Sequence, residues 1–201
     1  QFISYKDTRK ELIKNIPNIK KMKYTNYRNH LITAYYLLKS PVRLCNLQHM
    51  IYIEPDTKLL KNVTNKQKNY ITSINGVWYV HYNNFKTSSK MGEISLKIES
   101  PELVDLLEHY ITKFNIKPNQ QLLYNNLSFK PSNICSITIG YAITKTIKKL
   151  MNIENVTLNT LRHAKITEFQ NEVHTIEEKK QLAKEMNQQY KLNMLDYYVK
   201  V

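Results

Sequence analysis

Glycine is scarce in this chain of 201 residues, which contains only three. A nucleotide-binding loop brings several glycines together so that the backbone can wrap around a phosphate, as in the GxGxxG and GxxxxGK patterns. Neither pattern occurs in the sequence. The scarcity therefore argues against a nucleotide-driven motor and against a dinucleotide-dependent oxidoreductase.

Cysteines and long apolar runs are also few. Cys45 and Cys135 are the only cysteines, too few for a disulfide framework, so we expect reduced thiols. No stretch reaches the roughly 18 apolar residues that a membrane span needs, and basic residues interrupt the start, where a secretory leader is apolar. The chain begins at Gln1 rather than Met, which indicates a fragment or processed form of a longer protein. We expect an intracellular protein of the host cytoplasm or nucleus, neither secreted nor membrane-bound.

Acidic residues are outnumbered by basic ones, 16 to 30, which gives a net charge of +14. This excess predicts a polyanionic partner, nucleic acid in the first place. Only 4 of the 30 basic residues are arginines: Arg9, Arg28, Arg43 and Arg162. Because only a guanidinium group offers a planar fork to a phosphate, these four positions are the first candidates for phosphate binding.

The hydrophobic pattern predicts a mainly helical α+β fold with a small antiparallel β-sheet. Asn75-Gly76 between two β-branched runs is typical of a hairpin, and Ser100-Pro101-Glu102 is typical of a helix start. We predict strands at 50–53, 70–74, 77–82 and 94–98. We predict helices at 26–38, 42–49, 101–114, from 132 or 133 to 150, 157–172 and 175–186. Residues 1–23 are interpreted as an arm or the tail of an upstream region, and residues 24–201 as one domain.

Residues that bind metals do not form a recognisable site. Cys45 and His49 are four residues apart, which places them on one face of a predicted helix, but a zinc site needs two further ligands. The other histidines have no paired spacing. We therefore predict no metal site and no cofactor.

The segment LNTLRHAKIT, from Leu158 to Thr167, resembles the second conserved box of the tyrosine recombinases, the family of the phage integrases. In that box, a His-x-x-Arg pair on a helix is followed by another histidine. Arg162 takes the position of the box arginine and His163 that of the following residue. Asn159 stands where the family usually has histidine.

Three more segments resemble the family's motifs in the expected order. Arg43, which follows the break at Ser40-Pro41, takes the place of the first box arginine, and Lys86 that of the catalytic lysine on a β-hairpin. In the family, the nucleophilic tyrosine follows a Gly-His-Ser run after a helix. Gln188 stands where the family most often has His or Trp, and nine residues later comes Tyr197, with Tyr198 as the alternative nucleophile.

The resemblance implies a recombinase catalytic-domain fold over residues 24–201. It also implies DNA cleavage and rejoining through a 3′-phosphotyrosyl intermediate, in site-specific recombination or in integration of mobile or viral DNA. Arg43 and Arg162 would bind the phosphate oxygens, Lys86 would protonate the leaving 5′-oxygen, and Tyr197 would attack phosphorus. Asn159, His163 and Gln188 would support them.

The implied partner is double-stranded DNA, bound by a dimer or tetramer, with part of the recognition coming from an N-terminal DNA-binding domain that this chain lacks. Two alternatives stay open: a type IB topoisomerase-like relaxing enzyme, and a catalytically impaired DNA-binding module, which Asn159 and Gln188 favour. Six lysines are expected to contact the DNA backbone: Lys20, Lys21, Lys23, Lys145, Lys148 and Lys149.

Overall fold

The computed structural model of the chain describes residues 3–54, 67–127 and 132–186. Its α-helices are α1 (Tyr5–Lys14), α2 (Ile16–Ile19), α3 (Tyr24–Ala34), α4 (Leu44–Gln48), α5 (Ser88–Met91), α6 (Pro101–Lys113), α7 (Ser136–Met151), α8 (Leu158–Gln170) and α9 (Ile176–Glu185). Its strands are β1 (Met50–Tyr52), β2 (Asn69–Ile74), β3 (Val77–Tyr82), β4 (Ile94–Lys97) and β5 (Gln120–Gln121). The predicted mainly helical α+β class is confirmed. Among the helices described, none is both long and apolar enough to cross a membrane.

The strands form one mixed sheet in the order β4-β3-β2-β1-β5. Strands β2, β3 and β4 are the predicted antiparallel part, and Asn75 and Gly76 make the β2–β3 turn with positive φ angles of 49° and 75°. Strand β1 extends this part in parallel to β2, and β5 pairs antiparallel with β1. The sheet is thus larger than predicted, because parallel pairing joins segments that are distant in sequence and have no turn signal between them.

Local capping signals fix several helix starts. Ser100 Oγ accepts a hydrogen bond from the Leu103 N–H (3.3 Å) at the start of α6, as the sequence predicts. Helix α7 begins at Ser136 instead of residue 132 or 133. The reason is that Asn133 pairs with Tyr124 in an isolated antiparallel bridge, which keeps the chain extended there.

Helix α3 widens into a π-helical turn over Tyr35–Lys39 and ends at Ser40, where the backbone becomes extended. In a π-turn, hydrogen bonds run from residue i to i+5 instead of i+4. The Tyr5 hydroxyl of α1 lies 3.0 Å from the carbonyl oxygens of both Tyr36 and Leu37, and donates to them. A side chain from a distant helix thus supports the irregular turn that leads to Arg43.

Residues 3–23, interpreted from sequence as an arm or an upstream tail, fold as α1 and α2 onto the rest of the protein. Leu12 and Ile19 are fully buried in the core. The Glu168 carboxylate of α8 accepts hydrogen bonds from Ser4 Oγ (3.2 Å) and from the Lys6 N–H (3.0 Å), which fixes the start of α1. The interpretation of residues 1–23 as an arm or the tail of an upstream region stays a prediction.

Arg28, one of the four arginines, is buried and hydrogen-bonded inside the protein. It is 3% exposed, and its Nη1 donates hydrogen bonds to the carbonyl oxygens of Tyr124 (2.9 Å) and Asn125. These bonds attach the segment before α7 to α3. The guanidinium group of Arg28 is therefore used within the core.

Burial of His30 predicts a loss of stability on acidification. Burial lowers its pKa, the Asn26 carbonyl at 2.7 Å from Nδ1 opposes this, and Lys149 adds to it. As pH falls below the unfolded value of about 6.5, the unfolded chain takes up the proton first, so the free energy of unfolding decreases. Urea unfolding at pH 7.5 and 5.5 measures the effect.

The control variant is His30→Gln, whose amide can donate to the same carbonyl but does not titrate. We expect a smaller loss between the two pH values than in the parent, although not zero, because burial also lowers the pKa of His81 and His109. An unchanged loss in His30→Gln would show that His30 contributes nothing to it.

Candidate active site

Two of the four arginines meet in one open cleft of about 290 Å³. Arg43 precedes α4 and Arg162 lies on α8, so the pair comes from segments far apart in sequence. The other lining residues are Tyr36, Val42, Leu44, Leu158 and Asn159, so in the described part of the chain no acidic side chain lines the cleft. Two guanidinium groups that line one cleft are chemically suited to bind an oxygen anion.

Arg43 is placed by the break between the π-turn and α4. Ser40 is extended (φ −170°, ψ 148°), Val42 is buried, and Arg43 is the N-cap residue of α4. The Arg43 side chain is half-buried, and its buried Nε has no hydrogen-bond acceptor among the described residues. A buried N–H without an acceptor costs free energy.

Arg162 lies on the first turns of α8, which begins after the Thr157 cap. Burial raises the pKa of the Tyr36 hydroxyl, and the positive charge of Arg162 opposes that rise, which reflects how near the two groups lie. Asn159, one turn earlier on α8, is exposed in the same cleft. His163 is half-buried and does not line the cleft.

Gly140 of α7 allows Leu44 of α4 and Leu158 of α8 to pack close to the α7 backbone. A Cβ atom at this position would lie 3.0 Å from Leu44 Cδ1 and 3.3 Å from Leu158 Cδ1, closer than ordinary van der Waals contact. Leu44 and Leu158 each line the arginine cleft. Two residues of the cleft lining thus pack against a position without a side chain.

Lys86 is exposed on the loop between β3 and α5, at the predicted place in the β3–β4 hairpin. The neighbouring Phe85 is buried and anchors this loop. Lys86 does not line the arginine cleft. The structure thus brings together Arg43, Arg162 and Asn159, and leaves Lys86 on a separate loop.

The end of α9 is attached to the segment that precedes Arg43. Ser40 Oγ donates a hydrogen bond to the Glu185 carboxylate (2.8 Å). Burial lowers the pKa of both Lys39 and Lys165, and the charge of Glu185 opposes this shift in each. Helix α9 therefore ends beside the segment that leads to Arg43. Gln188, Tyr197 and Tyr198 lie outside the described residues.

The six lysines predicted to contact DNA have different surroundings. Lys20 forms an ion pair with Asp105 (2.6 Å), and Lys145 lies over the ring of Tyr141 at 5.4 Å from its centre. Lys149 borders a second cleft, together with Glu11 and His30. All except Lys20 are exposed: Lys21, Lys23, Lys145, Lys148 and Lys149.

Sequence reasoning did not identify three features of the site: Gly140, Tyr36, and the hydrogen bond by which Glu185 attaches α9 to Ser40. Gly140 had a usable signal, because glycine inside a helix destabilises it and calls for a packing reason. Tyr36 and Glu185 had none, since their partners lie more than a hundred residues away along the chain.

The described fold, with its α-helices around a small mixed sheet, is recombinase-like. Among solved structures, the crystal structure of XerA recombinase superimposes on 100% of this chain with a TM-score of 0.58 and 16% sequence identity. This chain spans 58% of the length of the XerA chain. No protein-family model and no curated protein sequence matches the chain. At such low identity the likeness concerns the fold alone.

Proposed function

We propose that the chain is the catalytic domain of a tyrosine recombinase, which cleaves and rejoins double-stranded DNA through a 3′-phosphotyrosyl intermediate. The observation that carries the proposal is the meeting of Arg43 and Arg162 in one cleft that no described acidic residue lines. The recombinase-like fold and the net charge of +14 support it. Site-specific recombination or integration of mobile or viral DNA is the form of the reaction that we propose.

The arginine pair fits the charge that develops at phosphorus. When a nucleophile attacks a phosphodiester, negative charge accumulates on the two nonbridging oxygens. Two guanidinium groups with fork geometry can each bind one of these oxygens and stabilise the transition state. Arg43 and Arg162 hold this role in the proposal, and Asn159 can add a neutral hydrogen bond.

The bonds exchanged leave the number of phosphoester links unchanged. The phenol oxygen of Tyr197 bonds to phosphorus and gives up its proton to water, the bond from phosphorus to the 5′-oxygen breaks, and Lys86 gives that oxygen a proton. Attack by the new 5′-hydroxyl reverses these steps and rejoins the strand. Tyr36 is unsuited as the nucleophile, although it lines the cleft, because it is 1% exposed and burial raises its pKa.

DNA is the proposed partner, with a dimer or tetramer of the chain assembled on it. The exposed lysines Lys21, Lys23, Lys145, Lys148 and Lys149 are proposed to contact the phosphate backbone. Lys20 is a weaker candidate, because it already pairs with Asp105.

A second candidate function is a DNA-binding module with impaired catalysis. Asn159 favours it: this residue is exposed in the cleft at the position where the resemblance places a histidine. An amide can orient a phosphate but cannot take up or release a proton near neutral pH. The two functions share DNA binding and differ in covalent chemistry.

The test is formation of a covalent protein–DNA adduct. The full chain is incubated with a pool of nicked duplexes of randomised sequence, which trap the cleaved strand, and the products are run on a denaturing gel. We expect an adduct that Tyr197→Phe abolishes and Tyr198→Phe retains. Tyr141→Phe, which changes an exposed tyrosine on α7, is the matched control and should retain it.

Other results have definite meanings. Loss of the adduct only in Tyr198→Phe would move the nucleophile by one residue. DNA binding that weakens with salt, without any adduct, would contradict the enzyme and support the binding module. Relaxation of supercoiled plasmid without recombinant product would indicate a type IB topoisomerase-like activity.

A further inference from the structure

Asn69, the first residue of β2, makes four hydrogen bonds with its side-chain amide although it is only 1% exposed. Its Nδ2 donates to the carbonyl oxygens of Asn46 (2.9 Å) and Asn84 (3.1 Å). Its Oδ1 accepts from the N–H groups of Asn83 (3.0 Å) and Asn84 (2.9 Å). Two donors and two acceptor lone pairs are all that an amide offers, so its capacity is filled.

The four bonds connect the two parts of the proposed active site. Asn46 lies on α4, three residues after Arg43. Asn84 belongs to the loop that follows β3, two residues before Lys86. One buried side chain therefore spans the gap between the helix of the first arginine and the loop of the proposed general acid.

The groups that Asn69 binds lie where regular structure ends. Helix α4 has only five residues, so the Asn46 carbonyl is in its last turn, where a helix provides no donor of its own. Strand β3 ends at Tyr82, so the N–H groups of Asn83 and Asn84 lie beyond it. Removing the amide would leave these groups without their partner and release the loop from α4.

We propose that Asn69 is a positioning residue, which holds the Lys86 loop at a fixed distance from the helix of Arg43. Lys86 itself is exposed, although the neighbouring Phe85 is buried. A general acid must come within hydrogen-bond reach of the leaving oxygen, and small misplacements cost large factors in rate. The amide of Asn69 thus fixes the position of the backbone from which the Lys86 side chain extends.

This inference rests on the proposed function, and its test separates the two. Cleavage is measured on two DNA substrates of a sequence selected from the randomised pool: the normal one, and one with sulfur replacing the bridging 5′-oxygen at the cleaved phosphate. A thiolate leaves without a proton, because thiols are far more acidic than alcohols. A defect that acts through the general acid therefore disappears on the sulfur substrate, whereas a defect of folding or DNA binding persists.

We expect Asn69→Ala to cleave the oxygen substrate about 10- to 100-fold more slowly than the parent chain, and the sulfur substrate within about threefold of it. Lys86→Ala should show the same pattern. Asn69→Gln, which keeps the amide but displaces it by one methylene, serves if Asn69→Ala fails to fold, with the same pattern expected.

Asn46→Ala is the matched control, because its side chain is equally buried while its backbone carbonyl, which Asn69 binds, is retained. Its ratio of rates on the two substrates should equal that of the parent chain.

Each contrary result overturns a different statement. If sulfur rescues Lys86→Ala but the Asn69 variants stay equally slow on both substrates, or match the parent on both, Asn69 does not position the general acid. If sulfur does not rescue Lys86→Ala, the proposed role of Lys86 is wrong, and the inference on Asn69 with it. If the parent chain cleaves neither substrate, the proposed function itself fails.

Discussion

Replacing Arg162 by alanine is expected to slow DNA cleavage by about 10²- to 10³-fold, the range seen when one preorganised donor to a developing anion is removed. Arg162 shares its cleft with Arg43, and among the described residues no acidic side chain lines that cleft. Its loss removes one of the two guanidinium groups that the proposed reaction places on the phosphate oxygens in the transition state. Single-turnover adduct formation at saturating protein measures the effect without a contribution from DNA affinity.

Two further variants separate geometry from charge. Arg162→Lys keeps the charge but loses the planar fork, so it should recover only part of the rate. Arg9→Ala removes the same charge from an exposed position on α1, outside the cleft, and should leave the single-turnover rate within about twofold of the parent. Equal losses in Arg162→Ala and Arg9→Ala would contradict a specific role for Arg162.

Replacing Gly140 by valine is expected to disturb both stability and cleavage. Its side chain would overlap Leu44 and Leu158, whose Cδ1 atoms lie 3.0 and 3.3 Å from the position of a Cβ atom. Overpacking of this kind costs about 1–3 kcal/mol of unfolding free energy. Because these leucines also line the arginine cleft, α4 and α8 should move apart, and cleavage should fall by about tenfold or more.

Urea unfolding and single-turnover cleavage together test this expectation. Gly140→Ala should have a smaller effect on stability, because the gain in helix propensity of about 0.5–1 kcal/mol offsets part of the contact. Thr144→Val, one turn further along α7 at a half-buried position, is the control and should leave cleavage unchanged. If Gly140→Val destabilised the protein yet cleaved DNA at the parent rate, the link between Gly140 and the arginine separation would be wrong.

Features encoded by neighbouring residues were predictable from the sequence. Asn75-Gly76 predicted the β2–β3 turn, and Ser100 with Pro101 predicted the start of α6, because each signal acts within four residues. The parallel pairing of β1 with β2 has no such local signal. The late start of α7 follows from the bridge between Tyr124 and Asn133, which depends on how the chain folds back.

The candidate site was predictable only in part, because most of its contacts join residues that are far apart in the sequence. The choice of Arg43 and Arg162 came from resemblance to a family, and the structure places both in one cleft. The sequence did not show which arginine has a structural role. The scarcity of arginine made Arg28 a candidate for phosphate binding as well, but in the structure it binds backbone carbonyls. The contacts of Asn69 were also beyond sequence reasoning, because its partners lie on α4 and after β3.

The π-turn at Tyr35–Lys39 holds one residue more than the corresponding α-helical turn would, so the chain could lose a residue there without losing the helix. The two turns cover nearly the same rotation and rise, so the segment that leads to Arg43 would keep nearly its present direction. The side chains of Tyr35, Tyr36, Leu37 and Leu38 are buried, however, and the Tyr5 hydroxyl bonds to two carbonyls of the turn. We therefore expect such a deletion to lower the free energy of unfolding through lost packing rather than to break the helix.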